Sequence, residues 1–181
     1  MTAVAAIYYP SLAVGDLVTA DLLQSMVHKY YIKPSLEARN TTTTLADDTD
    51  LQGIPLAVGT WEIELLLFYT QTTTNTQDLK TRWAFSGTWN NPDRNIMGIG
   101  NSSTAAANVS TEVNMAASQA AGQDAIYGGP ASVIFNSARE WTANCVVTVA
   151  GNLSLQWAQN ASSGNNTTVQ GNTAFRVRQI G

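Results

Sequence analysis

A single histidine limits the nucleophilic chemistry that this chain could perform. His28 is the only imidazole, so a Ser-His-Asp or Cys-His system would have to use it. It lies at the end of a predicted short helix, and no strand–turn–helix nucleophile motif occurs. One His and one Cys cannot supply the four ligands of a structural zinc ion. We therefore interpret His28 as a helix-end residue and predict no enzymatic activity, no metal site and no cofactor.

Carboxylates occur in two groups that could in principle do chemistry. Asp47, Asp48 and Asp50 form the only acidic cluster, which could bind calcium if backbone carbonyls completed the shell. The Asp-x-Asn-Gly pattern of a calcium loop is missing, so we predict a solvated loop. Glu62 and Glu64 lie two residues apart on one strand face. A glycosidase pair needs differently tuned environments, so we expect two glutamates that face solvent.

The remaining reactive and charged side chains favour structural roles. Cys145 is the only cysteine and lies in a Val-rich segment, which predicts a buried small hydrophobe, with an intermolecular disulfide as the alternative. Arg176 and Arg178 share a strand face. They could meet acidic groups on a neighbouring subunit or simply keep a terminal strand soluble.

The composition describes one globular domain with an uncharged polar surface. The chain has 181 residues, of which 22 are Thr, 15 are Asn and only 12% are charged, and its net charge is −4. The nine Lys and Arg are scattered, which argues against nucleic-acid binding. No apolar run reaches the length of about 18 residues that a membrane-spanning helix needs. The N-terminus lacks a basic region before its apolar stretch, so we expect no signal peptide and synthesis in the cytoplasm.

Alternating apolar residues predict an all-β fold. Strands are predicted at 61–69, 79–85, 141–149, 153–157 and 175–178, and weaker ones near 29–33, 45–56, 94–99 and 131–135. In the 141–149 strand, Trp141 shares one parity with Cys145. A turn at Gly151-Asn152 predicts an antiparallel hairpin between 141–149 and 153–157. The pattern indicates two facing sheets, a β-sandwich or jelly roll.

Two segments do not follow the strand pattern. Thr19 can cap a short helix over residues 20–28, which Pro34 prevents from extending. The tract 100–125 is rich in Ala but also in Asn, Ser and Thr, so either a helix or a strand flanked by loops is open. We predict an N-terminal arm and helix over 1–28 and a β-sandwich over 29–181, together one compact domain.

Three blocks of the sequence resemble small virion proteins of tailed phages that infect actinobacteria. They are Gly15–Ala20 with Leu22-Leu23-Gln24, then Thr44–Leu51 with Pro55-Leu56 and Trp61–Leu65, and finally Leu153–Asn160 with Arg176–Gly181. That family comprises capsid decoration proteins and minor tail or fibre proteins. The resemblance implies a trimeric jelly-roll head of the tumour-necrosis-factor kind. It also implies a virion location, with the major capsid protein or tail components as partners.

Three surfaces are candidates for such contacts. Ile7, Tyr8, Tyr9 and Leu12 precede the first cap, and burying them is worth about 1.5–3 kcal/mol each, so they either cover the chain's own sandwich or anchor it to the virion. Leu66 and Phe68 make the outer parity of strand 61–69 apolar, so this end needs cover. A subunit interface in a homotrimer is the prediction, and a cross-over loop that covers these residues is the alternative. A tail or fibre protein would instead bind a host glycan, with Trp89, Asn90 and Asn91 as the candidate loop.

Overall fold

Fourteen strands and no helix occur in the part of the chain that the computed structural model describes, residues 19, 27–71, 77–90, 93–100, 113–129 and 132–181. The strands are β1 (Lys29–Ile32), β2 (Glu37–Arg39), β3 (Ala46–Asp47), β4 (Ile54–Leu56), β5 (Gly59–Gln71), β6 (Leu79–Phe85), β7 (Thr88–Asn90), β8 (Asp93–Ile99), β9 (Val113–Ala120), β10 (Ala125–Tyr127), β11 (Ser132–Val149), β12 (Gly151–Gln159), β13 (Thr167–Val169) and β14 (Ala174–Gln179). Within the described ranges, no helix is long and apolar enough to cross a membrane.

The strands form two antiparallel sheets, which confirms the predicted all-β sandwich. The larger sheet has nine strands, with the path β1-β14-β5-β11-β8-β9 and with β13, β2 and β7 paired beside it. The smaller sheet has five strands, with the path β10-β6-β12-β3 and with β4 beside β12. The weaker strands predicted near 29–33, 45–56, 94–99 and 131–135 are present as β1, β3 with β4, β8 and the start of β11.

Strand β5 shows why the alternating pattern folds as a sandwich. Its 13 residues alternate between buried and partly exposed positions. The inward side chains are fully or almost fully buried and face the smaller sheet's aromatic residues, among them Trp83 and Trp157. The inward residues of β5 are Trp61, Ile63, Leu65, Leu67 and Tyr69. Burying large aromatic and aliphatic side chains from both sheets supplies the main favourable term in folding.

The predicted hairpin between 141–149 and 153–157 is wrong. Strand β11 pairs with β5, β7 and β8 in the larger sheet, whereas β12 pairs with β6, β4 and β3 in the smaller one. The chain crosses between the sheets at Ala150, beside the crossing from β6 to β7. There a Cβ on Gly87 would lie 2.8 Å from the Ala150 carbonyl oxygen. Two chain crossings therefore pack side by side, at a separation that only glycine permits.

A β-bulge in β11 overturns the predicted facing of Trp141. The register against β5 shifts between Thr142 and Cys145. Because the bulge adds a residue, Thr142 and Cys145 both point inward, while Trp141 lies on the outer face and is only partly buried. Simple alternation placed Trp141 and Cys145 on one face because it assumed an unbroken period of two.

The structure describes part of one of the two segments that do not follow the strand pattern and little of the other. Residues 113–120 of the small-residue tract form strand β9, the outermost strand on the sheet path next to β8. The predicted helix over 20–28 lies outside the described residues except for Val27 and His28, neither of which is helical.

Candidate functional site

The outer face of the nine-stranded sheet carries exposed apolar side chains in register. One row runs across five strands through Ile32, Ala174, Leu66, Arg139 and Met97. Three of its members are large, apolar and exposed: Ile32 at 56%, Leu66 at 42% and Met97 at 39%. Isolated exposed apolar residues are ordinary on a protein surface, but three of them aligned across a sheet are less common.

Further apolar groups extend this surface beyond the row. Tyr30 on β1 is 60% exposed and Phe135 on β11 is 67% exposed. Phe68 is half-buried and lies opposite Ser137 of β11. The structure thus places the predicted interface residues Leu66 and Phe68 on one outer face. We call this face, with Tyr30, Ile32, Leu66, Phe68, Met97 and Phe135, the apolar face.

Ion pairs occupy the neighbouring rows of the same face. Glu64 is ion-paired with both Arg139 and Arg176, and Arg178 donates to Glu62 at 2.7 Å. The antiparallel register places Arg176 opposite Glu64 and Arg178 opposite Glu62. The two glutamates do lie on the outer face, as expected, but they are only partly exposed, because the two arginines of β14 pair with them within the same chain. Matching the i, i+2 spacing of the two Glu and the two Arg could have predicted this pairing.

The histidine and the cysteine have structural surroundings. His28 Nε2 lies 3.6 Å from Glu62 Oε2, and its ring is tilted against Tyr30. The residue directly precedes β1 and is not itself helical. Cys145 is fully buried, as predicted, and burial raises the pKa of its thiol to about 12. A thiol with that pKa is protonated at neutral pH and is a poor nucleophile.

The acidic cluster is only partly solvated: Asp47 and Asp50 are exposed, whereas Asp48 is buried in a charge network. Lys33, which is fully buried, donates from Nζ to Asp48 Oδ1 at 2.9 Å and to Asp50 Oδ2 at 3.0 Å. Asp48 is also fully buried, and its Oδ2 accepts a hydrogen bond from Trp157 Nε1 at 3.0 Å. The prediction of a solvated loop therefore holds for Asp47 and Asp50 but is wrong for Asp48, which packs against a lysine that lies 15 residues earlier.

A second acid and base complete this network. Glu37 Oε2 lies 3.4 Å from Lys33 Nζ, and Glu37 Oε1 accepts two hydrogen bonds from Arg39. Burial would raise the pKa of Glu37, but hydrogen bonds from Thr49 and Arg39 outweigh it and lower the pKa to about 2. Within the described part of the chain, no group of three or more His, Cys, Asp or Glu residues is arranged to hold a metal ion. The ammonium of Lys33 supplies the positive charge among these carboxylates.

A buried ion pair that sequence inspection missed lies between the sheets. Arg94 and Glu140 are fully buried, with Nη1 and Oε2 2.8 Å apart. Glu140 Oε1 also accepts hydrogen bonds from Thr81 at 2.5 Å and Tyr127 at 3.0 Å. No sequence signal marks a pair 46 residues apart on different strands. All these contacts are internal, so the pair is part of the core.

The predicted glycan loop is only partly described. Trp89 stacks on Phe85 with ring centroids 4.7 Å apart and packs against the core. Asn90 is exposed, and Asn91 lies outside the described residues. One face of the Trp89 ring is therefore covered by protein. Ile7, Tyr8, Tyr9 and Leu12 of the predicted virion contact also lie outside the described residues.

Comparisons with known proteins identify no family for this chain. No family model matches the chain, and no curated protein matches it. A chain in a structure of infectious bursal disease virus, Gx strain, is 15% identical, with 84% of this chain and 42% of that chain covered and a TM-score of 0.18. A chain in a structure of the Gt strain is 12% identical, with 84% and 41% covered and a TM-score of 0.20. This chain spans about two fifths of the length of those chains, and TM-scores this low support no inference.

Proposed function

We propose that this chain is a non-enzymatic structural protein of a phage virion, a capsid decoration protein that associates as a homotrimer. The observation that carries the proposal is the apolar face, with Ile32, Leu66 and Met97 aligned and exposed. The assignment to a phage particle is supported by the resemblance of the blocks at 44–51, 153–160 and 176–181 to small phage virion proteins. A decoration protein needs a rigid scaffold and surfaces that bind its neighbours, and it needs no catalytic group.

The apolar face belongs to a sheet whose whole outer face is at most on the order of 1,000 Å², from six strands about 4.8 Å apart and the 13 residues of β5. A ring shares this face between two neighbours, so each contact is smaller than the roughly 800 Å² per partner of a standard interface. The arginine–glutamate pairs are already formed within the chain, so the second copy does not have to supply partners for these charges.

The distribution of apolar residues favours a ring over a two-fold dimer. Tyr30 and Ile32 lie on β1 at one side of the face, and Met97 and Phe135 lie on β8 and β11 towards the other. A cyclic trimer needs two different patches on each subunit, because the β1 side of one copy contacts the β8 side of the next. The two apolar ends of the face supply these two patches.

Sedimentation equilibrium of the purified chain tests the assembly. We expect a species of three 19.3 kDa subunits, and replacement of Ile32 or Met97 by Asp should leave a folded monomer. Val149→Asp is the matched control, because Val149 is 56% exposed but lies ten residues along β11 from Arg139, about 33 Å away. A wild-type monomer at all micromolar concentrations would contradict the proposal.

Cosedimentation with phage heads tests the virion role separately. Heads that lack their decoration protein should bind the wild-type trimer and should not bind the Ile32→Asp monomer, because a single copy loses the avidity of three attachment points. A trimer that binds no particle would leave the oligomer correct and the virion role wrong.

A further inference from the structure

A lysine and an aspartate from opposite sheets meet in a site closed to solvent. Lys33 directly follows β1 of the larger sheet, and Asp48 directly follows β3 of the smaller sheet. Both side chains are 0% exposed, as are Leu51 and Trp157 beside them. Lys33 Nζ and Asp48 Oδ1 are 2.9 Å apart. We propose that Lys33 and Asp48 condense into an intramolecular isopeptide bond that joins the two sheets.

The surroundings of Asp48 favour attack at its carboxyl carbon. Oδ1 accepts hydrogen bonds from the backbone N–H groups of Asp50 and Leu51, each at 3.0 Å. These donors stabilise the negative charge that develops on Oδ1 when Nζ adds to Cγ, as oxyanion-hole donors do. The Trp157 indole N–H donates to Oδ2, the oxygen that must leave. The hydrogen bonds thereby make Oδ1 the oxygen that carries the developing negative charge and Oδ2 the oxygen that leaves.

Proximity lowers the barrier to amide formation, which is high for separate molecules in water. Well-oriented intramolecular reactions reach effective molarities of about 10⁵–10⁸ M. The fully buried site also keeps out the water that would reverse the condensation. Neither condition holds for the exposed Asp47, whose carboxylate pairs with Gln156 instead.

The side chains of the cluster account for every proton that the condensation moves. Lys33 must first give a proton from Nζ to a carboxylate, and Asp50 Oδ2 is the nearer acceptor at 3.0 Å, compared with 3.4 Å for Glu37 Oε2. The Nζ–Cγ bond then forms and the Cγ–Oδ2 bond breaks. Of the three ammonium protons, one stays on the amide nitrogen and two leave with Oδ2 as water. The reaction changes no oxidation state and needs no other reactant.

The charges around Lys33 set the barrier to this step. Burial lowers the pKa of Lys33, but hydrogen bonds and charge interactions with Asp48 and Asp50 outweigh it and hold the pKa above its ordinary value. The amine is therefore protonated at rest, and a rate-limiting transfer to Asp50 must precede attack. Asp50 must then pass that proton on to Oδ2, so that the leaving oxygen departs as water. Because the first transfer is unfavourable, we expect the bond to form slowly after folding.

Tryptic mapping of the purified full chain tests the bond directly. Trypsin cleaves after Lys29, Arg39 and Lys80 but not between Lys33 and Pro34, so an unlinked chain yields residues 30–39 and residues 40–80 as separate peptides. The proposal predicts one joined species, lighter than the sum of the two peptides by one water, about 18 Da. Fragmentation should place the link between Lys33 and Asp48. Separate peptides of full mass would overturn the proposal.

Variants separate the bond from other losses of water. Lys33→Arg keeps the charge but should abolish the link, Asp50→Asn should slow it at least tenfold, and Asp47→Asn is the matched control that should leave it unchanged. A succinimide at an aspartate also loses water but leaves the two peptides apart, and that result would contradict the proposal. An Asp50→Asn chain that links as fast as the wild type would show that Asp50 is not the proton acceptor.

Discussion

The buried Arg94–Glu140 pair makes a strong and specific prediction about stability. Replacing Glu140 by Gln removes the charge but keeps the size, so the Arg94 guanidinium stays buried without a counter-ion. Breaking a buried pair in this way costs about 3–5 kcal/mol. Glu140 also accepts hydrogen bonds from Thr81 and Tyr127, so its loss weakens further contacts between the sheets. Since native proteins have about 5–15 kcal/mol of stability, Glu140→Gln should remove a large part of it.

Urea unfolding followed by tryptophan fluorescence measures this loss. With an m value of about 2 kcal/mol per M, the midpoint of Glu140→Gln should fall by about 2 M. Asp124→Asn is the control, because the Arg82–Asp124 pair is 39% and 30% exposed and exposed pairs are worth about 0–1 kcal/mol. The double variant Arg94→Met/Glu140→Gln should be more stable than Glu140→Gln alone, since no unpaired charge remains. A Glu140→Gln midpoint within 0.5 M of wild type, about 1 kcal/mol, would refute the reasoning.

Three further residues give predictions from burial or from close packing. Burial raises the pKa of Asp78 to about 6, so the folded state binds this proton more tightly than the unfolded state, and the free energy of unfolding should fall as the pH rises from about 4 to about 6. Asp78→Asn should remove that slope and raise stability at pH 7 by up to about 3 kcal/mol, measured by urea titrations at several pH values. Cys145 should resist iodoacetamide at pH 8 in the folded chain and react in urea, as mass spectrometry would show. Gly98→Ala should cost about 1–3 kcal/mol in thermal melts, because its Cβ would lie 2.6 Å from the Tyr127 ring.

Local alternation predicted most strands but not the points where strands bend. The inward residues of β5 and the facing of Phe175 and Val177 on β14 followed from a period of two. The same rule failed at Trp141, where a bulge changes the parity, and at Ala150, where the chain leaves one sheet for the other. A bulge and a crossing between sheets depend on which strands lie alongside. The sequence of one strand does not carry that information.

The polar contacts of the core were harder to predict than the apolar ones. Lys33 and Asp48 lie 15 residues apart and Arg94 and Glu140 lie 46 apart, so each charge meets its partner only when strands from distant parts of the chain come together. Composition placed the aspartates on the surface because buried carboxylates are rare. The outer positions Leu66 and Phe68 were identifiable because they break the polar parity of β5.

Cryo-electron microscopy of phage heads mixed with this chain tests the proposed trimeric decoration protein most directly. The account predicts a map with three copies around a threefold axis, in which the β1 side of each apolar face contacts the β8 side of the next and Leu66 is buried. A map with single copies, or with the apolar face turned to solvent and another surface buried, would contradict it.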